Sequence, residues 1–354
     1  MATRPWGGII EEYRAHLSIE SDWQVITLLE GNTPLLRCDR LAHAIGLDIE
    51  LYLKIEGLNP TGSFKDRGMT MAITQALNEG ATSVICASTG NTSAAAAAYA
   101  ARAGMRAFVV IPHDDIAHGR LAQAVMHGAR IISIDGNFDQ ALQLVRLAAE
   151  RYPVTLVNSI NPYRIEGQKT AAFEVCDQLG DAPDFHFLPL GNGGNITSYW
   201  KGYVEYEQAG VVSARPRMMG FEAAGAAPIA GGQVIEDAQT STAIKIGNPA
   251  GWRQAEDARD QSDGDIGMVS DAELVAAYRL MAETEGIFCE LASAAGVAGL
   301  IKGKPDGVVP SGSVVVCTLT AHGLKDPVAA RAQVGEVVQV PAILEKLAEA
   351  LELV

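Results

Sequence analysis

The stretch "FHFLPLGNGGNITSYWKGY", Phe185 to Tyr203, runs strand, glycine loop, helix. The mainly apolar "FHFLPL" reads as a buried strand, and the residues after the loop read as a helix. The same rhythm recurs around it. "SVICAS" (83–88) precedes "TGNTS" and an alanine-rich helix. "RAFVVI" (106–111), "ARIISID" (129–135), "VTLVN" (154–158), "RMMGFE" (217–222) and "SVVVCTLT" (313–320) complete the set. Continuous apolar strands alternating with helices predict an α/β protein whose parallel sheet is covered on both faces. Ligands of such sheets bind beyond the carboxyl ends of the strands, and Gly191 to Asn195 fall there.

Five loops or turns offer chemistry. Glycines in "GNGGN", Gly191-Asn192-Gly193-Gly194-Asn195, let backbone amides approach an anion at a helix start. The alternative is an ordinary strand-to-helix turn; the spacing fits neither a dinucleotide fingerprint nor a Walker loop. "STGNTS", Ser88 to Ser93, presents Ser88, Thr89, Asn91 and Thr92 for a carboxylate, or serves only as a capping box. In "NSINPYRIEGQK", Ser159, Asn161, Arg164 and Lys169 could gather a second anion, or be solvated turn residues. Thr320 closes the strand before "AHGLKD", where His322 is a possible base but more often a structural turn residue. In "NPTGSFKDRG", Asn59 to Gly68, a Pro-Gly turn leads to Ser63 as an N-cap and Lys65 in the first helical turn. A cation is disfavoured there by the helix dipole, and burial lowers its pKa further, which suits a nucleophile or Schiff-base former. A surface lysine beside Asp66 and Arg67 is the alternative.

Composition narrows the classes. The 354 residues carry a net charge of -15, which argues against nucleic acid as a partner. No apolar run reaches membrane-span length, and the N-terminus lacks a signal-peptide core. The five scattered cysteines fit a reduced, cytoplasmic protein, and the seven histidines show no metal-ligand spacing, so no metal is expected. "EDARDQSDGD" (256–265) reads as a solvated loop, and the C-terminal "AILEKLAEALELV" as an amphipathic packing helix.

A lysine, a phosphate cup, a carboxylate loop and a second anion loop at one sheet edge suit pyridoxal 5'-phosphate: aldehyde on the lysine, phosphate in the cup, ring as electron sink. The sequence also resembles the threonine synthase family, within the tryptophan-synthase-like (fold type II) pyridoxal-phosphate enzymes. The resemblance runs from "GNTPLLRC" at 31 to "TAHGLKDP" at 327, through "GLNPTGSFKDRGM", "STGNTSAA", "NSINPYRIEGQKT", "LPLGNGGNITSYWKGY", "AIKIGNPAGW" and "ASAAGVAGL". The family pattern is left at Ala321, usually Gly, and at Leu291, usually Pro.

The resemblance implies two open, mainly parallel twisted sheets flanked by helices, with the active site between domains. Residues 1–50 and 162–354 would form the large cofactor domain, and 51–161 a smaller mobile one. Lys65 would hold the cofactor as a Schiff base, and Asn91 would bond the ring 3'-oxygen. Gly191, Asn192, Gly193, Gly194 and Asn195 would hold its phosphate, and Thr320 would face the pyridine nitrogen. The substrate would be O-phospho-L-homoserine, bound by Ser88, Thr89, Thr92, Ser159, Arg164 and Asn192. γ-Elimination of phosphate and β-addition of water would give L-threonine, in a homodimer. The rival readings are a threonine/serine dehydratase, an O-acetylserine sulfhydrylase, and a nucleotide-binding regulatory protein.

Overall fold

The computed structural model describes residues 5–113, 118–236, 238, 244–333, 335 and 337–352. Its strands are β1 (Leu35–Arg37), β2 (Glu50–Ile55), β3 (Ser83–Ala87), β4 (Arg106–Pro112), β5 (Arg130–Ile134), β6 (Thr155–Leu156), β7 (Phe185–Pro189), β8 (Arg217–Ala223), β9 (Asp265–Val269) and β10 (Val314–Leu319). They form two sheets, in the orders β1-β2-β10-β7-β8-β9 and β5-β4-β3-β6. Every pairing is parallel except β1 with β2.

The inner strands of each sheet are buried on both faces, as the apolar runs require, while the edge strands β1, β5 and β9 are partly exposed. On β7, Phe185 and Phe187 enter one core and Leu188 the opposite one; on β3, Val84 and Cys86 part from Ile85 and Ala87 in the same way. This is the period-2 alternation of a strand, with both sides covered.

Three expectations change. Residues 256–265 do not form a loop: a helix runs Trp252–Gln261 and β9 begins at Asp265. Its charges hide the helix in the sequence, but Ala255 and Ala258 give it a narrow buried face, and Trp200 Nε1 donates to Gln261 Oε1 at 2.9 Å. The C-terminal helix is short, Leu344–Ala350, and leaves Leu344 and Leu347 exposed rather than packed. The first expected domain boundary, 50/51, would part β2 from its own sheet, because β2 pairs with β10 along its whole length. Strands β1, β2 and β9 were not legible as strands.

In β2 the reason is Lys54, fully buried and paired to Glu174 at 2.8 Å. Glu174 also takes Arg67 Nη1 at 2.7 Å, and Arg67 Nε reaches Glu56 at 2.7 Å. Each charge in this group faces an opposite one, which is what makes burial tolerable. The group joins β2 to the Lys65–Asn78 and Pro162–Leu179 helices. Those helices touch at glycine. A Cβ on Gly167 would lie 1.9 Å from the Arg67 carbonyl oxygen, so only glycine permits this approach.

Candidate active site

The turn ahead of Lys65 forms as composition requires. Gly62 has φ 88°, and its amide donates to Asn59 O at 2.8 Å. Ser63 is not the N-cap, however. The helix begins at Lys65 with Phe64 in the cap position, and Ser63 Oγ accepts from the Lys65 amide at 3.3 Å. Asp66 instead takes both Thr61 donors, the amide at 2.7 Å and the hydroxyl at 2.6 Å, which closes the turn. Lys65 thus occupies the first helical position. Burial and the Arg164 charge lower its amine to about 7, against a smaller opposing pull from Glu290. Near neutrality a large fraction is therefore the free amine.

The expected loops come together beyond the strand ends. Phe64 N donates to Thr320 O at 2.9 Å, tying the lysine to the end of β10. Thr320 Oγ1 lies 2.9 Å from Ser293 Oγ. Asn158 holds both backbone groups of Ala87, accepting from its N at 2.9 Å and donating to its O at 2.9 Å, so it clamps the Ser88–Thr92 loop to the Ser159–Arg164 turn. Ser88, Thr89, Asn91, Thr92 and Ser159 are partly exposed.

The glycine loop forms the start of the Gly194–Gln208 helix, with Gly193 at φ 83°. A Cβ there would sit 2.5 Å from Gly251 O, while the Gly251 amide donates to Asn192 O at 2.9 Å. The first amides of this helix have no intrahelical acceptor. Asn195 Nδ2 is buried without a hydrogen-bond partner. Of the family stretch "AIKIGNPAGW", Ala243 lies outside the described residues.

Arg164 is fully buried. Its Nη1 donates to Val157 O at 2.8 Å, but Nε and Nη2 have no partner. Burial lowers its value to about 10. Two candidates leave the site. Lys169 is paired to Glu166 at 2.6 Å and Glu205 at 2.8 Å, away from any anion loop. His322 accepts from the Leu324 amide and packs edge-on to Phe288, a structural role. Among the described residues no His, Cys, Asp and Glu cluster could hold a metal.

Sequence reasoning passed over Glu290, Ser293 and Asn158. Ser293 lay inside a quoted stretch, "ASAAGVAGL", and Asn158 opened another. Only their contacts distinguish them.

The orphaned amide of Asn195, at the glycine loop, is a buried donor awaiting an acceptor, and the lowered amine of Lys65 suits an aldehyde. These groups fit pyridoxal phosphate, and they define a cofactor-dependent enzyme of that class. The family model "Pyridoxal-phosphate dependent enzyme" matches residues 26–321. The chain is 59% identical to a threonine synthase of Synechocystis sp. over 91% of this chain and 84% of the relative. It is 57% identical to one of Mycobacterium tuberculosis over 97% of each. The chain belongs to the threonine synthases, within the pyridoxal-phosphate dependent enzymes. Maize serine racemase shares the fold, at TM-score 0.72 and 21% identity over 97% of each chain. So does a tomato (Solanum lycopersicum) threonine deaminase, at TM-score 0.72 and 20% identity over 86% of this chain and 87% of that one.

Proposed function

We propose that this threonine synthase converts O-phospho-L-homoserine and water to L-threonine and phosphate at the site around Lys65. The observation that carries the reading is Arg164: a buried cation with two unpartnered donor nitrogens, close enough to depress the Lys65 amine. A fork of free donors beside the reacting lysine is what a departing phosphate needs.

When bound, pyridoxal phosphate supplies an aldehyde for the substrate amine and a ring that takes up electron density. Gly191, Asn192, Gly193, Gly194 and Asn195 would hold its phosphate, Asn91 its ring oxygen, and Thr320, with Ser293, its ring nitrogen. A neutral hydroxyl at that nitrogen does not keep it protonated, so the ring is a milder electron sink than with a carboxylate partner. Ser88 and Thr89 bind the substrate carboxylate. Lys65 would take the proton from the α-carbon as a free amine, give that proton up, and then take one from the β-carbon. Arg164, Ser159, Thr92 and Asn192 hold the substrate phosphate while it leaves, after which a proton returns to the γ-carbon and water adds at the β-carbon.

The unit carrying the four-stranded sheet is the smaller, mobile one in this reading, closing on the larger. The enzyme acts as a homodimer in the cytoplasm. Buried free cysteines are compatible with that compartment, and exposed Leu324 and Val328 offer apolar surface for a second subunit.

The test is phosphate release with threonine formation from O-phospho-L-homoserine, compared with deamination of threonine. Borohydride should fix the cofactor to Lys65, and Lys65→Ala should lose both the lysine-linked absorption and turnover. Full turnover in Lys65→Ala, or deamination outpacing threonine formation, overturns the reading.

A further inference from the structure

Glu290 enters the Leu291–Ala294 turn and is 5% exposed. Its backbone is fixed against the strand end that carries Thr320: its amide donates to Ala321 O at 2.9 Å, and its own carbonyl accepts from Ser293 N at 2.9 Å. From that fixed backbone its carboxylate reaches Asn91, and Oε2 accepts from Asn91 Nδ2 at 2.9 Å. A primary amide has two N–H groups on one nitrogen. With one taken by Glu290, the Asn91 side chain is oriented and the other N–H has a set direction.

The same carboxylate faces charge. Its field partly opposes the lowering that burial imposes on Lys65, on the Lys65–Asn78 helix, and on Lys325, on the Gly323–Lys325 turn. The neighbouring Cys289 thiol is pushed up to about 12 by burial and by Glu290, so it stays neutral. Arg164 opposes Glu290 at Lys65.

We propose that Glu290 is a positioning residue of the cofactor site: through its hydrogen bond it would set the Asn91 amide to donate to the cofactor's ring oxygen, and its negative charge would favour the protonated form of the lysine-linked cofactor. The proposal rests on the reading that Lys65 and Asn91 meet the cofactor. It adds a carboxylate that acts through Asn91 and through its charge. Of its two roles, the hydrogen bond is shared by glutamine, whereas the charge is not.

The experiment is a pH titration of the visible absorption of the cofactor-loaded enzyme without substrate, in Glu290→Gln, Glu290→Ala and Asn91→Ala. Glu290→Gln should lower the apparent pKa of the lysine-linked absorption by about 1 unit or more and leave cofactor affinity near wild type. Glu290→Ala should lower it similarly and also weaken cofactor retention. Asn91→Ala added to Glu290→Ala should change retention little further, since the two act as one unit. An unmoved titration in Glu290→Gln, or additive losses from Glu290→Ala and Asn91→Ala, overturns the proposal. Borohydride trapping on Lys65 of the wild type separates the two levels: without it, the cofactor reading itself falls, and with it, the variants judge Glu290 alone.

Discussion

The amide of Phe64 donates to the carbonyl oxygen of Thr320 at 2.9 Å, which joins the helix carrying Lys65 to the end of β10. The reacting lysine and the residue proposed at the ring nitrogen are thereby held in one register. Thr320 Oγ1 and Ser293 Oγ are also paired. Thr320→Asp would put a carboxylate in place of a hydroxyl and keep the ring nitrogen protonated. The cofactor absorption should shift and side products such as deaminated threonine should rise, while cofactor content stays near wild type. An unchanged spectrum with an unchanged product ratio would place Thr320 elsewhere.

Arg164→Ala removes the unpartnered fork. Charge-assisted hydrogen bonds contribute about 1.5–3 kcal/mol each, so turnover of O-phospho-L-homoserine should fall at least about tenfold. Inorganic phosphate should compete with substrate in the wild type and far less in the variant. The lysine-linked absorption should survive, because the cofactor phosphate is assigned to Gly191–Asn195. Steady-state kinetics and a spectrum on the same preparation measure all three effects. Wild-type kinetics would remove Arg164 from the phosphate pocket.

Gly167→Ala tests the helix crossing. The new Cβ would fall 1.9 Å from Arg67 O and 3.0 Å from Gly68 Cα, both on another helix's backbone. Backbone cannot yield as a side chain does, so stability should drop by about 1–3 kcal/mol in urea denaturation. Gly231 has no atom within 4 Å of the equivalent position, so Gly231→Ala should leave stability almost unchanged.

Glu174 governs part of the acid limb of stability. Although burial alone raises its carboxyl, Arg67 and Lys54 outweigh that and bring it from 4.5 to about 2. Between those values the unfolded chain binds more protons than the folded one. Stability from this group is therefore full above about 4.5 and is lost as pH falls towards 2. Glu174→Gln should flatten that part of the profile. It should also destabilise the protein by about 3–5 kcal/mol at neutral pH, since Arg67 and Lys54 stay buried with less opposing charge. Urea midpoints measured from pH 7 downward give both effects, and a parallel displaced curve of unchanged slope would contradict the assignment.

Much of the fold was legible. The apolar strands β3, β4, β7, β8 and β10 stand out because both their faces are buried, and β5 by its apolar run although it is a largely exposed edge strand. β2 and β9 did not stand out, since Lys54 interrupts one and Asp265 opens the other beside a charged helix. Candidate site residues were visible where backbone conformation constrains the residue type, as at Gly62 and Gly193 with positive φ. Lys169 and Arg164 show the opposite case. They sit five residues apart on one helix, yet the first is neutralised by Glu166 and Glu205 while the second keeps unpartnered donors.

By itself the sequence determined the local matters: that the continuous apolar runs are strands, where glycine must turn the chain, and that Lys65 opens a helix. These depend on neighbours within a few residues, so composition and spacing decide them. Only the tertiary structure decided which charges cancel and which remain available. Glu290 and Asn91 are 199 residues apart, yet Asn91 Nδ2 donates to Glu290 Oε2 at 2.9 Å. Electrostatic and hydrogen-bond energies depend on distance and burial in space, and separation along the chain carries neither.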